Sequence, residues 1–244
     1  MEPSRDGWGG WLEQDNALLV LENLSIGYNA VLASEINARV HPGEVIAVLG
    51  PSGIGKTTLV RTIAGLVEPI DGEVELKVEK RGGLGYIPQK LGLVRHASVY
   101  HNVNLGARAS LPVLKGESEE RKKRVNSALV ALGIEEKTTE PVRRLSGGQL
   151  RRVATARALA QRPSLLLADE FLSELDHNTV DVVIAAVKEL LDAGTSIIMV
   201  EHHEENVALL ATRVWIIEGE KLYDFPIDEW KKLQVGHLPR GEEE

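Results

Sequence analysis

Nine consecutive residues, Gly50-Pro51-Ser52-Gly53-Ile54-Gly55-Lys56-Thr57-Thr58, bring three glycines, an ammonium and hydroxyls together. They follow the apolar run Val45–Leu49 and lead into Leu59-Val60-Arg61-Thr62-Ile63-Ala64. Strand, glycine loop and helix are the context in which G-x-x-x-x-G-K-[ST] cradles phosphate. Glycines let successive backbone N–H groups converge on an anion. The following helix adds its unpaired N–H groups and the positive end of its dipole. Lys56 then supplies a point charge for a nucleotide's outer phosphates, and Thr57 a hydroxyl for Mg²⁺.

Two further stretches carry chemistry. Leu165-Leu166-Leu167-Ala168 is apolar throughout and ends on Asp169-Glu170. Carboxylates at the end of a buried strand have a use where they face a cleft, and ligands bind at the carboxyl edge of parallel sheets. Asp169 is thus a candidate Mg²⁺ ligand, and Glu170 a candidate to orient and polarise an attacking water. Taken alone, the pair could simply start a solvated loop. Leu145-Ser146-Gly147-Gly148-Gln149 opens a helix containing Arg151, Arg152 and Arg157. A serine cap, two glycines and a helix N-terminus make a second anion site, or simply a capped helix after a turn.

The elements that must position these groups follow from pattern. Strands are expected at Leu18–Ile26, Ile36–Val40, Val45–Leu49, Glu73–Val78, Leu84–Ile87, Leu165–Ala168, Ser196–Val200, Arg213–Ile217 and Lys221–Tyr223. Helices are expected from Lys56 to Ala64, stopped by Gly65, and from a Ser118 cap through Val125, Leu129 and Leu132 to Gly133. Others cover Leu150–Gln161, ended by Pro163, and a run with Val180, Val183, Ile184, Val187, Leu190 and Leu191 on one face, ended by Gly194. A short helix is expected before Arg213. Strands alternating with helices argue a parallel sheet covered on both faces. The polar helical stretch of roughly 90–160 reads as an insertion into that core.

Bulk properties narrow the classes. The 244 residues suffice for one large α/β domain, with 43% hydrophobic and 26% charged residues. A net charge of −8 argues against nucleic acid as the main partner. With no cysteine there are neither disulfides nor thiolate metal sites, which suits the cytoplasm. No apolar run approaches the ~18 residues of a membrane span, and the first residues lack the apolar core of a signal peptide. Any membrane crossing is expected of another chain.

The combination resembles the ATP-binding cassette (ABC) family over roughly Leu18 to Tyr223. The resemblance rests on Walker A (Gly50–Thr58), the Q-loop (Gln89), the signature (Leu145–Gln149), Walker B (Leu165–Asp169) and the catalytic acid (Glu170), in the family's order. The D-loop, Ser173-Glu174-Leu175-Asp176, and the switch histidine, His202, complete the set. It implies an α/β P-loop NTPase fold: a mainly parallel core (17–235), an N-terminal antiparallel β subdomain, an inserted helical subdomain (about 90–160), a lead-in (1–16) and an acidic tail (236–244). It also implies two such domains head to tail, each ATP held between one chain's P-loop and the other chain's signature helix. Tyr28 becomes the aromatic that stacks on adenine, or else a surface tyrosine at a strand end. The Gln89 amide reaches Mg²⁺ and the attacking water. His202 contacts the γ-phosphate, a role His203 could compete for.

Catalysis would rest on Lys56, Gln89, Glu170 and His202; ATP would be bound by Tyr28, Gly50, Pro51, Ser52, Gly53, Ile54, Gly55, Lys56, Thr57 and Thr58, and across the dimer by Leu145, Ser146, Gly147, Gly148 and Gln149. Thr57, Gln89 and Asp169 would hold Mg²⁺. Three positions depart from the family pattern: Phe171 replaces proline, Glu174 a small residue and His203 an aspartate. The expected function is the ATPase subunit of a transporter, likewise dimeric, bound to separate permease subunits on the cytoplasmic face of the membrane. The segment Leu91–Leu105 is either their docking surface or a core-packing helix. Local echoes of zinc, manganese, phosphonate and lipoprotein transporters disagree, so no substrate follows. The rival is a soluble ABC ATPase, such as one for iron–sulfur cluster assembly.

Overall fold

The computed structural model describes residues 16–111, 117–172 and 177–236. Six strands form the central sheet in the order β5 (Leu84–Ile87), β6 (Leu165–Asp169), β7 (Ser196–Val200), β3 (Val45–Leu49), β8 (Arg213–Glu218) and β9 (Lys221–Pro226). The first five run parallel, and β9 closes the edge as an antiparallel hairpin with β8. β3, β6 and β7 read Val-Ile-Ala-Val-Leu, Leu-Leu-Leu-Ala-Asp and Ser-Ile-Ile-Met-Val, and β6 and β7 are buried at every residue. Continuous apolar runs suit strands covered on both faces.

Because side chains alternate across a strand, these runs feed two cores. Ile46, Val48, Leu165, Leu167, Ile198 and Val200 pack with α1 (Lys56–Ile63) and with β1 (Leu19–Gly27) and β2 (Val31–Val40). Ala47, Leu166, Ala168, Ile197 and Met199 face the helices instead. Each fully buried Leu or Ile stabilises by about 1.5–3 kcal/mol, so Leu167→Asp would break the sheet from inside. The second sheet, β2-β1-β4 with β4 at Asp71–Leu76, is antiparallel, and β4 alternates exposed and half-buried residues as its sequence predicts.

Four helices cover the other face: α2 (Val99–Ser110), α3 (Glu117–Ala131), α4 (Gly147–Gln161) and α5 (His177–Asp192). The two short elements α6 (Glu204–Leu210) and α7 (Ile227–Gly236) follow β7 and β9. α2 lies close against α4: a Cβ on Gly106 would meet the Arg157 carbonyl oxygen at 1.9 Å. Ser98 caps α2, accepting from the His101 N–H at 3.1 Å.

Several boundaries differ from expectation. α3 begins at Glu117, one residue before Ser118, the residue expected to open it. α4 starts at Gly147, because the Ser146 cap recruits both glycines into the first turn. α7 was not anticipated; one buried side chain, Trp230, at 3% exposure, anchors an otherwise polar stretch. Trp8 and Trp11, the lead-in 1–15, the D-loop residues 173–176 and the tail 237–244 lie outside the described residues.

Candidate active site

The parallel strands deliver their carboxyl ends to one edge. Val200 lies opposite both Val48 and Asp169, so the start of the glycine loop and the two carboxylates flank the end of β7. β5 neighbours β6 and leads to Gln89. Four separate stretches of chain therefore converge because their strands are adjacent.

Gly50, Gly53 and Gly55 have φ of 138°, 79° and 116°, in the left-handed region that side chains disfavour. At Gly50 a Cβ would also lie 2.5 Å from the Ile217 carbonyl oxygen. Gly55 is the N-cap of α1 and offers no side-chain cap, leaving the first N–H groups of the helix open to an anion. The Lys56 ammonium, 5% exposed as a residue, donates to the carbonyls of Gly50 at 2.7 Å and Pro51 at 2.9 Å. Its burial lowers its pKa below the ordinary lysine value, while the charges of Glu170 and Asp169 pull the other way.

The Thr57 hydroxyl donates to Asp169 Oδ1 at 3.0 Å. Burial raises the Asp169 pKa above the ordinary value; the Thr57 hydrogen bond opposes this and the Glu170 charge adds to it. Glu170 stands next, at φ 52°, a conformation costing about 1–3 kcal/mol for a residue with a side chain. Two contacts hold its backbone there: its N–H donates to Val200 O at 3.2 Å, and its carbonyl accepts from Arg151 Nη1 at 2.9 Å. Both carboxylate oxygens are engaged. Oε2 accepts from Gln89 Nε2 at 2.7 Å, and Oε1 lies 2.8 Å from His202 Nε2. Burial alone would raise the Glu170 pKa, but the hydrogen bonds from His202 and Gln89, with the charges of His202 and Lys56, outweigh it and hold it low.

The structure thus brings together Lys56, Thr57, Asp169, Glu170, Gln89 and His202. It is the ring of His202 that meets Glu170; His203 is the N-cap residue of α6. Tyr28 is 60% exposed, its hydroxyl 3.4 Å from Arg61 Nη1. Phe171, where the family pattern has proline, is buried in the helical core. Residues Leu145–Gln149 stand apart: among the described residues no hydrogen bond or ion pair joins them to the glycine loop. The α4 arginines hold other parts of the chain. Arg151 grips the Glu170 carbonyl, Arg152 reaches Thr179 and Arg157 holds the carbonyls of Leu91 and Gly92.

Oxygen donors from Thr57, Asp169 and the Gln89 amide suit Mg²⁺. Among the described residues no cluster of three or more His, Cys, Asp or Glu could hold a metal unaided. That fits Mg²⁺, which takes one or two carboxylates and completes its shell with water and substrate phosphate.

A family model described as ABC transporter matches residues 33–173, more than half of the chain. The chain belongs to the ABC transporter family. It is 36% identical over 222 residues to a putative 2-aminoethylphosphonate import ATP-binding protein of Salmonella paratyphi A, covering 86% of this chain and 58% of that protein. A Fe(3+) ions import ATP-binding protein of Haemophilus influenzae is 35% identical over 237 residues, covering 92% and 65%. The chain therefore spans under two thirds of the length of these curated relatives. In fold it is similar to a solved ATP-binding subunit of an ABC transporter, with a TM-score of 0.79, 23% identity and coverage of 90% and 93%. Within this ABC cassette, sequence reasoning passed over two residues that the structure makes prominent. Arg151 lies on the helix that Ser146 opens, and Glu201 directly precedes His202. A basic residue one turn into a helix and an acid at a buried strand end were the available signals.

Proposed function

We propose that this ABC cassette binds Mg-ATP and hydrolyses it, as the ATPase subunit of a transporter. One observation carries the reading: Glu170 stands at the sheet edge between Gln89 and His202, beside the Lys56 and Thr57 of the glycine loop. The loop N–H groups and Lys56 bind and orient the phosphates, and Tyr28 is exposed where an adenine could stack. Mg²⁺, held by Thr57, Asp169 and Gln89, supplies charge neutralisation at the phosphates when bound. Glu170 is kept ionised by its two partners and, once Gln89 or His202 releases an oxygen, accepts a hydrogen bond from the attacking water. His202 then faces the charge developing on the γ-phosphate.

Among the described residues the helix end at Leu145–Gln149 makes no hydrogen bond or ion pair with its own chain's P-loop, which supports a head-to-tail dimer in which a second copy supplies it to the nucleotide. The names of the relatives support transport, and import in particular, over iron–sulfur cluster assembly. No helix among the described residues is long and apolar enough to cross a membrane, so separate permease subunits would carry the substrate and hold this chain at the cytoplasmic face. The insert of about 90–160 would relay ATP binding to them. Its expected docking surface divides in two. Leu91, Gly92 and Leu93 line a cavity of about 250 Å³ with Leu145 and Leu150, rimmed by Lys90, Arg95 and Arg143, whereas Val99 and Val103 of α2 are buried core. The first part is therefore the docking candidate.

The test is Glu170→Gln. It should bind ATP with parental affinity and lose at least about 100-fold in hydrolysis, the scale of a positioned general base. Parental turnover in this variant would remove Glu170 from the role.

A further inference from the structure

Glu201 follows β7 and is 2% exposed, although it carries a carboxylate. Its N–H reaches Val48 O at 3.4 Å, so it continues the parallel ladder beside the strand that ends in the glycine loop. Burying a carboxylate is costly unless its oxygens are hydrogen-bonded. One of them is: Oε2 accepts from the backbone N–H of His202 at 3.0 Å and of His203 at 3.3 Å. The other, Oε1, is buried and has no hydrogen-bond partner among the described residues. A group kept inside at that cost needs a reason.

The reason is visible one residue on. A side chain that accepts from the next two N–H groups of its own backbone folds the chain into a tight, fixed turn. That turn aims His202, whose Nε2 lies 2.8 Å from Glu170 Oε1. Without it, the ring would hang from an exposed loop between β7 and α6, its side chain 41% exposed. We propose that Glu201 is a positioning residue, whose buried carboxylate pins the turn that carries His202 and so sets the His202–Glu170 contact. It acts through His202, whose backbone N–H its carboxylate holds. The proposal rests on the hydrolytic reading of Glu170 for its kinetic consequence, but not for its geometry.

Two variants of the full chain test it. Glu201→Gln keeps an oxygen for both N–H groups and should retain kcat within about threefold. Glu201→Met removes the acceptor at similar volume and should lower kcat about tenfold to hundredfold, the cost of a misplaced catalytic group. KM for ATP should stay within about twofold, and Tm within about 3 °C. In a His202→Ala background, Glu201→Met should cost nothing further, because a residue acting through another is silent once that one is gone. Parental kcat in Glu201→Met, an equal further loss in the double variant, or a loss accounted for by unfolded protein would each overturn the assignment. A second measurement needs no turnover. In the ¹⁵N-histidine-labelled chain, the His202 Nε2 signal should move in Glu201→Met and stay in Glu201→Gln. An unmoved signal in Glu201→Met overturns the proposal. Parental hydrolysis by Glu170→Gln would instead sink the hydrolytic reading and leave this measurement to decide Glu201.

Discussion

α1 and α4 both begin at glycine-rich turns, yet they are finished differently. At α1 the N-cap is Gly55, with no side chain to occupy the first N–H groups, and the loop before it is folded by three left-handed glycines. At α4 the N-cap is Ser146, and a capping box is complete: Ser146 Oγ accepts from Gln149 N at 3.4 Å, and Gln149 Oε1 accepts from Ser146 N at 3.0 Å. The first end is left uncapped by Gly55, while Lys56 ties down the loop carbonyls and α1 packs on the sheet. The second satisfies itself, so a phosphate arriving there competes with the cap's own hydrogen bonds. One helix end leaves its first N–H groups without a side-chain cap, and the other satisfies its own.

Substitutions can break this comparison. The largest effect is expected at the open end. Lys56→Met should weaken ATP binding about 10- to 100-fold, the worth of a charged hydrogen-bonding partner, while leaving the Tm of the ligand-free chain unchanged or raised. Calorimetric titration checks the first and a thermal melt the second; a large loss of Tm would mean that the loop depends on its lysine for folding. At the capped end the order should reverse. Ser146→Ala should destabilise the ligand-free chain by about 1 kcal/mol, read from denaturant unfolding, and change ATP binding by the isolated chain little. If ATP affinity falls as far as with Lys56→Met, the two ends share a nucleotide within one chain, contrary to the head-to-tail arrangement.

The smallest effect concerns pH. Burial raises the Asp169 pKa, so its ionisation costs the folded state stability that is fully present below the unfolded value and lost as pH rises through the folded one. Asp169→Asn should therefore melt higher than the parent at neutral pH without nucleotide, the gap closing as pH falls into the ordinary aspartate range. A gap independent of pH would show that the carboxylate is not the source of the strain. Glu170 has the opposite sign, with its pKa held low by His202 and Gln89, and should stay ionised below the usual glutamate range.

Much of this was legible in sequence because the signals are local. An apolar run long enough for one strand, a glycine loop that only glycine can fold, and a serine three residues before a glutamine each specify their own geometry. Where the local signal was silent, a distant contact decided. α7 is unannounced by the sequence pattern and is held because Trp230 finds the core. The sequence places three arginines on α4 without naming their partners; in the fold Arg151 holds the Glu170 carbonyl, 19 residues away in the chain.

The sequence by itself determined which groups are the candidates for chemistry: Lys56, Thr57, Gln89, Asp169, Glu170 and His202, each in a recognisable local pattern. Only the tertiary structure decided how they meet. Gln89 and Glu170 lie 81 residues apart in the chain and 2.7 Å apart in space. That distance depends on β5, β6, β7 and β3 lying side by side, which follows from crossover connections rather than from any one segment. It likewise decided between the two adjacent histidines. His202 and His203 are the same residue type on the same loop, and the turn pinned by Glu201 aims the first at Glu170 and leaves the second to begin α6.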